Sequence, residues 1–308
     1  MEEICFKSSV RMIAVDLDGT LLGADGRVSQ RNLAALQAAE QAGIEVVVAT
    51  GRRHCYALHV LHELQLKPET VLISSNGAVV RTLRSELIER TLMDGPTARW
   101  LPGHLGEFRN ALVITFDKLG ADGEDARGAL VIEELEDLHS SISRWMETNE
   151  PYIEQIRPIE DALNGDAPIQ MMICGTVERM RRAEARLLED DRVAPVAGVR
   201  PGGRVSLNRT EYPDRDLSLV DILPAECSKG AALLRLAGSR GFTVKEVMAM
   251  GDNWNDLSML EVVGSPVLMG NAPVDLKVIA RRKGWLIAGD HDADGVAEAI
   301  FQSLAINV

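Results

Sequence analysis

Apolar residues recur along this chain in two rhythms. RMIAVDLDG, residues 11–19, is an apolar run that ends in two aspartates and a glycine. It predicts a buried strand entering a tight turn. Ser29 can cap a following helix, SQRNLAALQAAEQAG, with Leu33 and Leu36 on one face and Gly43 as the stop. IEVVVATGR is nearly continuous in apolar residues, as a parallel strand covered on both faces would be. Ala57, Val60, Leu61 and Leu64 then follow at helical spacing. Pro68 and the strand TVLISSNGA complete a strand, helix, strand, helix, strand series. That alternation predicts a doubly wound α/β layer.

The rhythm changes after residue 82. ALVITFD, PIQMMICG, RVAPVAG and RVSLNRT read as separate strands, with helices expected over 127–139 and 177–189. This mixture predicts an α+β domain with an antiparallel sheet. DLSLVDILP is expected to restart the first pattern. A helix capped at Ser228, the strand KEVMAMGDNWND, a helix over 256–263, the strand PVLMG, a helix over 273–281, the strand WLIAG and a last helix follow. The expected organisation is core (1–82), insert (83–213), core (214–308), an arrangement that chain insertion at a surface loop tolerates.

With 308 residues, two domains are expected rather than one. A net charge of −13 argues against a general nucleic-acid binder, but a local cation can still admit a phosphorylated small molecule. The four cysteines, 5, 55, 174 and 227, form no CxxC pair and read as reduced thiols of a cytoplasmic protein. The opening residues show no basic start followed by an apolar stretch, so no signal peptide is expected. No apolar run approaches the ~18 residues of a membrane span, and no membrane partner is expected.

The chemistry sits in short polar clusters at predicted strand ends and helix starts: DLDGT, ATGR, SKG and GDNWND. Ligands of open α/β sheets bind outside the carboxyl ends of the strands, so these clusters converge by topology. Asp16 and Asp18, close together at the end of a buried strand, call for positive charge nearby, and a cation would supply it. No G-x-G-x-x-G follows the first strand, which disfavours a dinucleotide site.

DLDGT, ATGR, SSNGA, SKG and GDNWND in this order resemble the haloacid-dehalogenase superfamily. The core–insert–core order and the ending GNAPVDLKVIA…DADGVAEAI resemble its Cof-type phosphatase branch. The resemblance implies a Rossmann-like core with a mostly parallel sheet, an inserted α+β cap, and Mg²⁺-dependent hydrolysis of a phosphomonoester. The substrate it implies is a small phosphorylated metabolite, a sugar phosphate foremost. It implies that Asp16 is the nucleophile, Asp18 the acid and base, and Thr50 a hydroxyl donor to the phosphoryl group. Gly51 would let the backbone approach the phosphate, and Lys229 would neutralise Asp16 and the substrate. Mg²⁺ would rest on Asp16, the Asp18 carbonyl and Asp252, with Asp256 supporting the metal or the lysine.

Other positions leave alternatives open. Arg52 contacts substrate or braces an acidic neighbour. Asn76 and Asn255 face the phosphate or hold their loops. Asn271 lines the crevice or satisfies backbone groups, and Thr20 caps its turn or holds the first loop. His54, His59 and His62 complete no recognised zinc set. Cys55 has no visible base. Met171 and Met172 read as core, and EELED (133–137) as a solvated helix face. Rival functions are phosphotransfer of the mutase kind and a phospho-ligand sensor that retains the fold. Oligomeric state is not readable from the sequence.

Overall fold

The computed structural model describes residues 10–120, 123–134, 142–195 and 200–306. It divides into two compact units, Met1–Ile88 with Lys229–Val308, and Glu89–Ser228.

The chain begins with β1 (Met12–Val15), α1 (Gln30–Gln41), β2 (Glu45–Ala49), α2 (His54–Leu61), β3 (Val71–Ser74), β4 (Val79–Thr82) and β5 (Leu87–Arg90). The second unit contributes α3 (Gly95–Leu105), β6 (Leu112–Thr115), β7 (Leu130–Ile132), α4 (Ser143–Asn149) and β8 (Ile153–Gln155). It continues with β9 (Gln170–Gly175), α5 (Val177–Leu188), β10 (Val193–Ala194), β11 (Val205–Tyr212) and β12 (Leu217–Pro224). The chain then returns to the first unit with α6 (Lys229–Ser239), β13 (Val247–Gly251), α7 (Leu257–Leu260) and β14 (Ser265–Leu268). It ends with α8 (Val274–Lys283), β15 (Leu286–Ile287) and α9 (Gly295–Ile306).

The first sheet has eight strands in the order β15-β14-β13-β1-β2-β3-β4-β5, parallel from β15 to β3 and antiparallel at β3–β4. Successive residues of β1 serve opposite faces. Ile13 and Val15 pack with α1, α2 and α9, while Met12 and Ala14 pack with α6, α7 and α8. A sheet covered this way needs apolar residues at every strand position, hence the unbroken runs in the sequence. Ser29 caps α1 by accepting from the Asn32 amide, as its sequence context predicts.

The second sheet has seven strands in the order β10-β11-β12-β9-β6-β7-β8, and its central pairs are antiparallel. One face packs Leu112, Ile114, Val220 and Ile222 against α3 and α5. The opposite face carries a smaller apolar cluster around Val113, Ile132, Met172 and Leu217.

Four expectations are corrected here. Leu217–Pro224 does not restart the parallel core. As β12 it lies between β11 and β9, antiparallel to both, so the first unit resumes at Lys229 rather than 214. The run is apolar because a central strand is flanked on both sides, which antiparallel and parallel sheets share. The first crossing lies at Ile88/Glu89 rather than 82/83, because β4 and β5 still belong to the first sheet. The helix expected over 127–139 is replaced at 130–132 by β7, whose three residues are all buried. Of EELED, Glu133 is bound by Arg109 at 2.7 and 2.8 Å and is no solvated helix face; 135–137 lie outside the described residues. Among the described residues, no helix is long and apolar enough to cross a membrane. Cys55, Cys174 and Cys227 are buried and in no disulfide, and Cys5 lies outside the described residues.

Candidate active site

Parallel registry aligns the carboxyl ends of β1, β2 and β13: Val15 pairs with Val48 on one side and Met250 on the other. The residues that follow these strands therefore emerge together. Asp16 follows β1, Thr50 follows β2, and Asp252 follows β13. The backbone ladder extends into this edge, with the Asp16 amide donating to the Met250 carbonyl and the Thr50 amide to that of Ile73.

Lys229, the first residue of α6, is fully buried. Its Nζ donates to Asp16 Oδ1 at 2.5 Å and to Asp256 Oδ1 at 2.7 Å. Asp256 Oδ2 accepts the backbone amides of Asp252 and Asn253 at 2.9 and 3.0 Å. Asp256 therefore fixes both the lysine and the loop that presents Asp252. Asp252 is held more lightly, by Thr20 Oγ1 and Asn271 Nδ2, each at 3.3 Å. Asn271 Nδ2 also donates to the Gly19 carbonyl at 2.7 Å, joining the first acidic loop to the second. Gly19 has φ +75°, and a Cβ there would lie 2.5 Å from Asp252 Oδ2, so only glycine permits this approach.

Asp16, Asp252 and Asp256 can bring one oxygen each within 4.8 Å of one another, and all are buried. Burial, and then the charge of Asp256, push the Asp16 carboxyl up to about 7; Lys229 offsets this only in part. Burial, Asp16 and Asp256 likewise raise Asp252 well above the usual carboxylate range. Burial alone would lower Lys229, but the two carboxylates outweigh it and keep the ammonium charged. Three carboxylates thus share one ammonium, and the excess negative charge fits a divalent cation. Asp16 and Asp252 are the suitable oxygen donors for a hard ion, since both Asp256 oxygens already accept hydrogen bonds.

Asp18 turns toward solvent, its side chain 44% exposed. The Arg52 guanidinium grips both its oxygens, Nε at 2.8 Å and Nη2 at 2.5 Å, and lies over the Tyr56 ring. Of the two alternatives for Arg52, the structure displays the brace. Thr50 is fully buried, and its Oγ1 accepts from the Arg52 amide at 3.1 Å. Asn255 Nδ2 donates to Asn76 Oδ1 at 3.2 Å, and the Asn76 amide donates to the Thr50 carbonyl. Ser75 and Asn76 both have positive φ, 48° and 52°. The SSNGA segment is thus a bent support beside Gly51, whose added Cβ would lie 3.2 Å from Asn76 Oδ1.

Every residue of this constellation belongs to the first unit. His54, His59 and His62 join no metal-capable cluster among the described residues, and Cys55 is buried. Met171 and Met172 are core residues, as expected. The stacking of Arg52 on Tyr56 and the bond from Asn271 to Asp252 were not legible in sequence, whereas the brace by Arg52 and the backbone contact of Asn271 were among the alternatives it left open.

The model of the haloacid dehalogenase-like hydrolase family matches residues 13–300. The chain is 28% identical to the 5-amino-6-(5-phospho-D-ribitylamino)uracil phosphatase YwtE of Bacillus subtilis, over 96% of this chain and 99% of that protein. It is 31% identical to the phosphatase YwpJ of the same organism, over 88% and 93%. A solved haloacid dehalogenase-like hydrolase from B. subtilis superposes with a TM-score of 0.73 at 26% identity, covering 95% of this chain and 99% of that one.

Proposed function

Because the chain belongs to the haloacid dehalogenase-like hydrolases, we propose that it is a Mg²⁺-dependent phosphomonoesterase of the Cof-type branch. One observation carries this reading: a buried carboxylate at a strand end, Asp16, is held by a buried lysine beside a second acidic loop.

In this reading an Asp16 oxygen attacks phosphorus as the ester P–O bond breaks, giving an aspartyl-phosphate. Asp18 donates its proton to the departing alkoxide. It then takes a proton from a water whose oxygen attacks phosphorus, and the bond to Asp16 breaks to release inorganic phosphate. Lys229 and the Thr50 hydroxyl stabilise charge on the phosphoryl oxygens, and Gly51 leaves room for them. Arg52 aims Asp18, while Asn76 and Asn255 brace the phosphate-facing loops. Mg²⁺, held by Asp16, the Asp18 carbonyl and Asp252, would supply charge neutralisation and orient the phosphoryl group.

The Glu89–Ser228 unit would act as a cap that recognises the organic part of the substrate. A sugar or polyol phosphate is the favoured substrate class. Support comes from the name of YwtE, which describes a phosphatase of a phosphoribityl compound. The test is a panel of phosphomonoesters assayed for inorganic phosphate with and without Mg²⁺. Mg²⁺-dependent phosphate release is expected. Conversion to an isomeric phosphate, or binding without turnover, would overturn the hydrolase reading in favour of transfer or sensing.

A further inference from the structure

Within the first unit, the turn after β14 approaches the turn after β15 with a closeness that glycines permit. The Gly270 amide donates to the Gly289 carbonyl at 3.0 Å. A Cβ on Gly270 would lie 2.9 Å from the Asp290 nitrogen, and one on Gly295 would lie 2.3 Å from the Gly289 oxygen. This approach lets two side chains, Asn271 and His291, act together on the first acidic loop.

The Asn271 amide has its orientation dictated from three sides. Its Oδ1 accepts the His291 backbone amide at 3.2 Å, so its Nδ2 faces the Gly19 carbonyl at 2.7 Å and Asp252 Oδ2 at 3.3 Å. Both of those oxygens are acceptors, and a carboxylate in place of the amide would meet them with repulsion. Asn271 thus donates to both acidic loops without adding negative charge where three carboxylates already share one ammonium. His291 closes the link from the other side. Its Nδ1 is 2.8 Å from the Leu22 carbonyl, which can only accept, so Nδ1 carries a proton. Leu22 forms a backbone bridge with Asp18, and its amide donates to the Leu17 carbonyl at 2.9 Å. Asp292 accepts the Ala24 amide at 2.8 Å, a second anchor on the same turn. Arg52 steers the Asp18 carboxylate, but the Asp18 carbonyl has no side chain to steer it. Its place follows from the backbone beyond it, held at Gly19 by Asn271 and at Leu22 by His291.

We propose that Asn271 and His291 are positioning residues for this strand edge. Asn271 sets the spacing between the Asp18–Gly19 backbone and Asp252, and His291 holds both Asn271 and the Leu22 turn in place. This rests on the Mg²⁺-dependent phosphatase reading above and assigns what keeps its two acidic loops in register.

The test compares Asn271→Ala, Asn271→Asp, His291→Asn and His291→Gln with the unaltered full chain. Mg²⁺ affinity is measured by calorimetric titration without substrate, kcat and KM on p-nitrophenyl phosphate at saturating Mg²⁺, and the thermal midpoint in EDTA. Asn271→Ala is expected to weaken Mg²⁺ affinity about tenfold, as loss of a group that orients a metal ligand does. Asn271→Asp nearly keeps the shape but cannot donate, so kcat should fall about tenfold with KM within about twofold. The asparagine amide nitrogen can stand where histidine Nδ1 stands, whereas that of glutamine stands nearer Nε2. His291→Asn should therefore keep Mg²⁺ affinity and kcat within about threefold, and His291→Gln should lose about tenfold in both. A merely structural role would shift the thermal midpoints and leave the Mg²⁺ affinity of the folded variants unmoved. Unchanged Mg²⁺ affinity in folded Asn271→Ala, unchanged kcat in Asn271→Asp, or equal values for the two histidine variants would overturn this inference alone. Should Asn271→Ala fail to fold, the other three variants still decide. An unaltered protein that neither binds Mg²⁺ nor releases phosphate would remove the phosphatase reading, and this inference with it.

Discussion

The two sheets handle polar chemistry in opposite ways. The first gathers acidic and basic groups where β1, β2 and β13 end and binds them to one another or to the backbone: Lys229 to two aspartates, Asp256 to two amides, Asp18 to Arg52. The second sheet places polar side chains within its strands, where Gln170 Oε1, Asn208 Nδ2 and Ser218 Oγ are buried without a hydrogen-bond partner. Partnered polar groups at a strand edge form preorganised machinery, able to act on any substrate that presents the same reacting group. The contrast teaches that charged groups at a shared strand edge can satisfy one another, whereas single polar residues within strands need not be satisfied by their own sheet.

Lys229→Met breaks the comparison most severely. It should lower kcat/KM for every phosphomonoester by about 10²–10³-fold without changing their ranking, since each presents the same phosphoryl charge. It should also destabilise the protein by about 3 kcal/mol or more, because Asp16 and Asp256 lose their buried counter-ion. Steady-state kinetics across the panel and denaturant unfolding check both parts. A changed ranking would show that the first sheet's machinery also selects substrates.

Asp252→Ala comes next. Removing one of two candidate carboxylate donors should weaken Mg²⁺ affinity about 10- to 100-fold and reduce turnover at fixed Mg²⁺ in parallel. Calorimetric titration measures the first and a Mg²⁺ series the second. Unaltered affinity would remove Asp252 from the metal set.

The same contrast explains what could be read from sequence. Strand-end chemistry is contiguous in the chain, so DLDGT, ATGR and GDNWND stand out as polar clusters against apolar runs. Asp16, Lys229, Asp252 and Asp256 were legible for that reason, as were the β1, β2, β3 and β13 strands. The polar positions of the second sheet are scattered: Gln170 and Asn208 are single polar residues inside PIQMMICG and RVSLNRT. Their association appears only when β9, β12 and β11 are placed side by side. The misassigned Leu217–Pro224 strand has a related cause, since an apolar run reports burial and not the direction of its neighbours. The Asn271 link between Gly19 and Asp252 joins residues 252 positions apart, beyond any local pattern.

Arg52→Ala should have a smaller effect, about tenfold on kcat for p-nitrophenyl phosphate, by releasing the Asp18 carboxylate from its two-point grip. Arg52→Lys should recover only part of this, because an ammonium cannot reproduce the planar fork. Equal activity of all three proteins would mean that the clamp does not aim Asp18.

The mildest expected effect concerns stability and pH. In metal-free protein Asp16 is raised from 3.8 to about 7. The folded state therefore holds more protons than the unfolded state between these values, and stability falls as pH rises through them. A divalent ion replaces the proton, so the stabilisation by Mg²⁺ should grow from pH 5 to pH 8, by roughly 1–4 kcal/mol. Thermal midpoints in EDTA and in Mg²⁺ across this range measure it. A Mg²⁺ effect independent of pH would contradict the charge balance assigned to the site.

The most direct test of the account is inorganic phosphate release by Asp16→Asn, a near-isosteric change at the attacking atom. The variant should remain folded, by circular dichroism and thermal midpoint, and lose about 10⁴-fold or more in kcat on every phosphomonoester that the unaltered protein hydrolyses with Mg²⁺. Near-normal turnover by a homogeneous, folded Asp16→Asn sample would contradict the account.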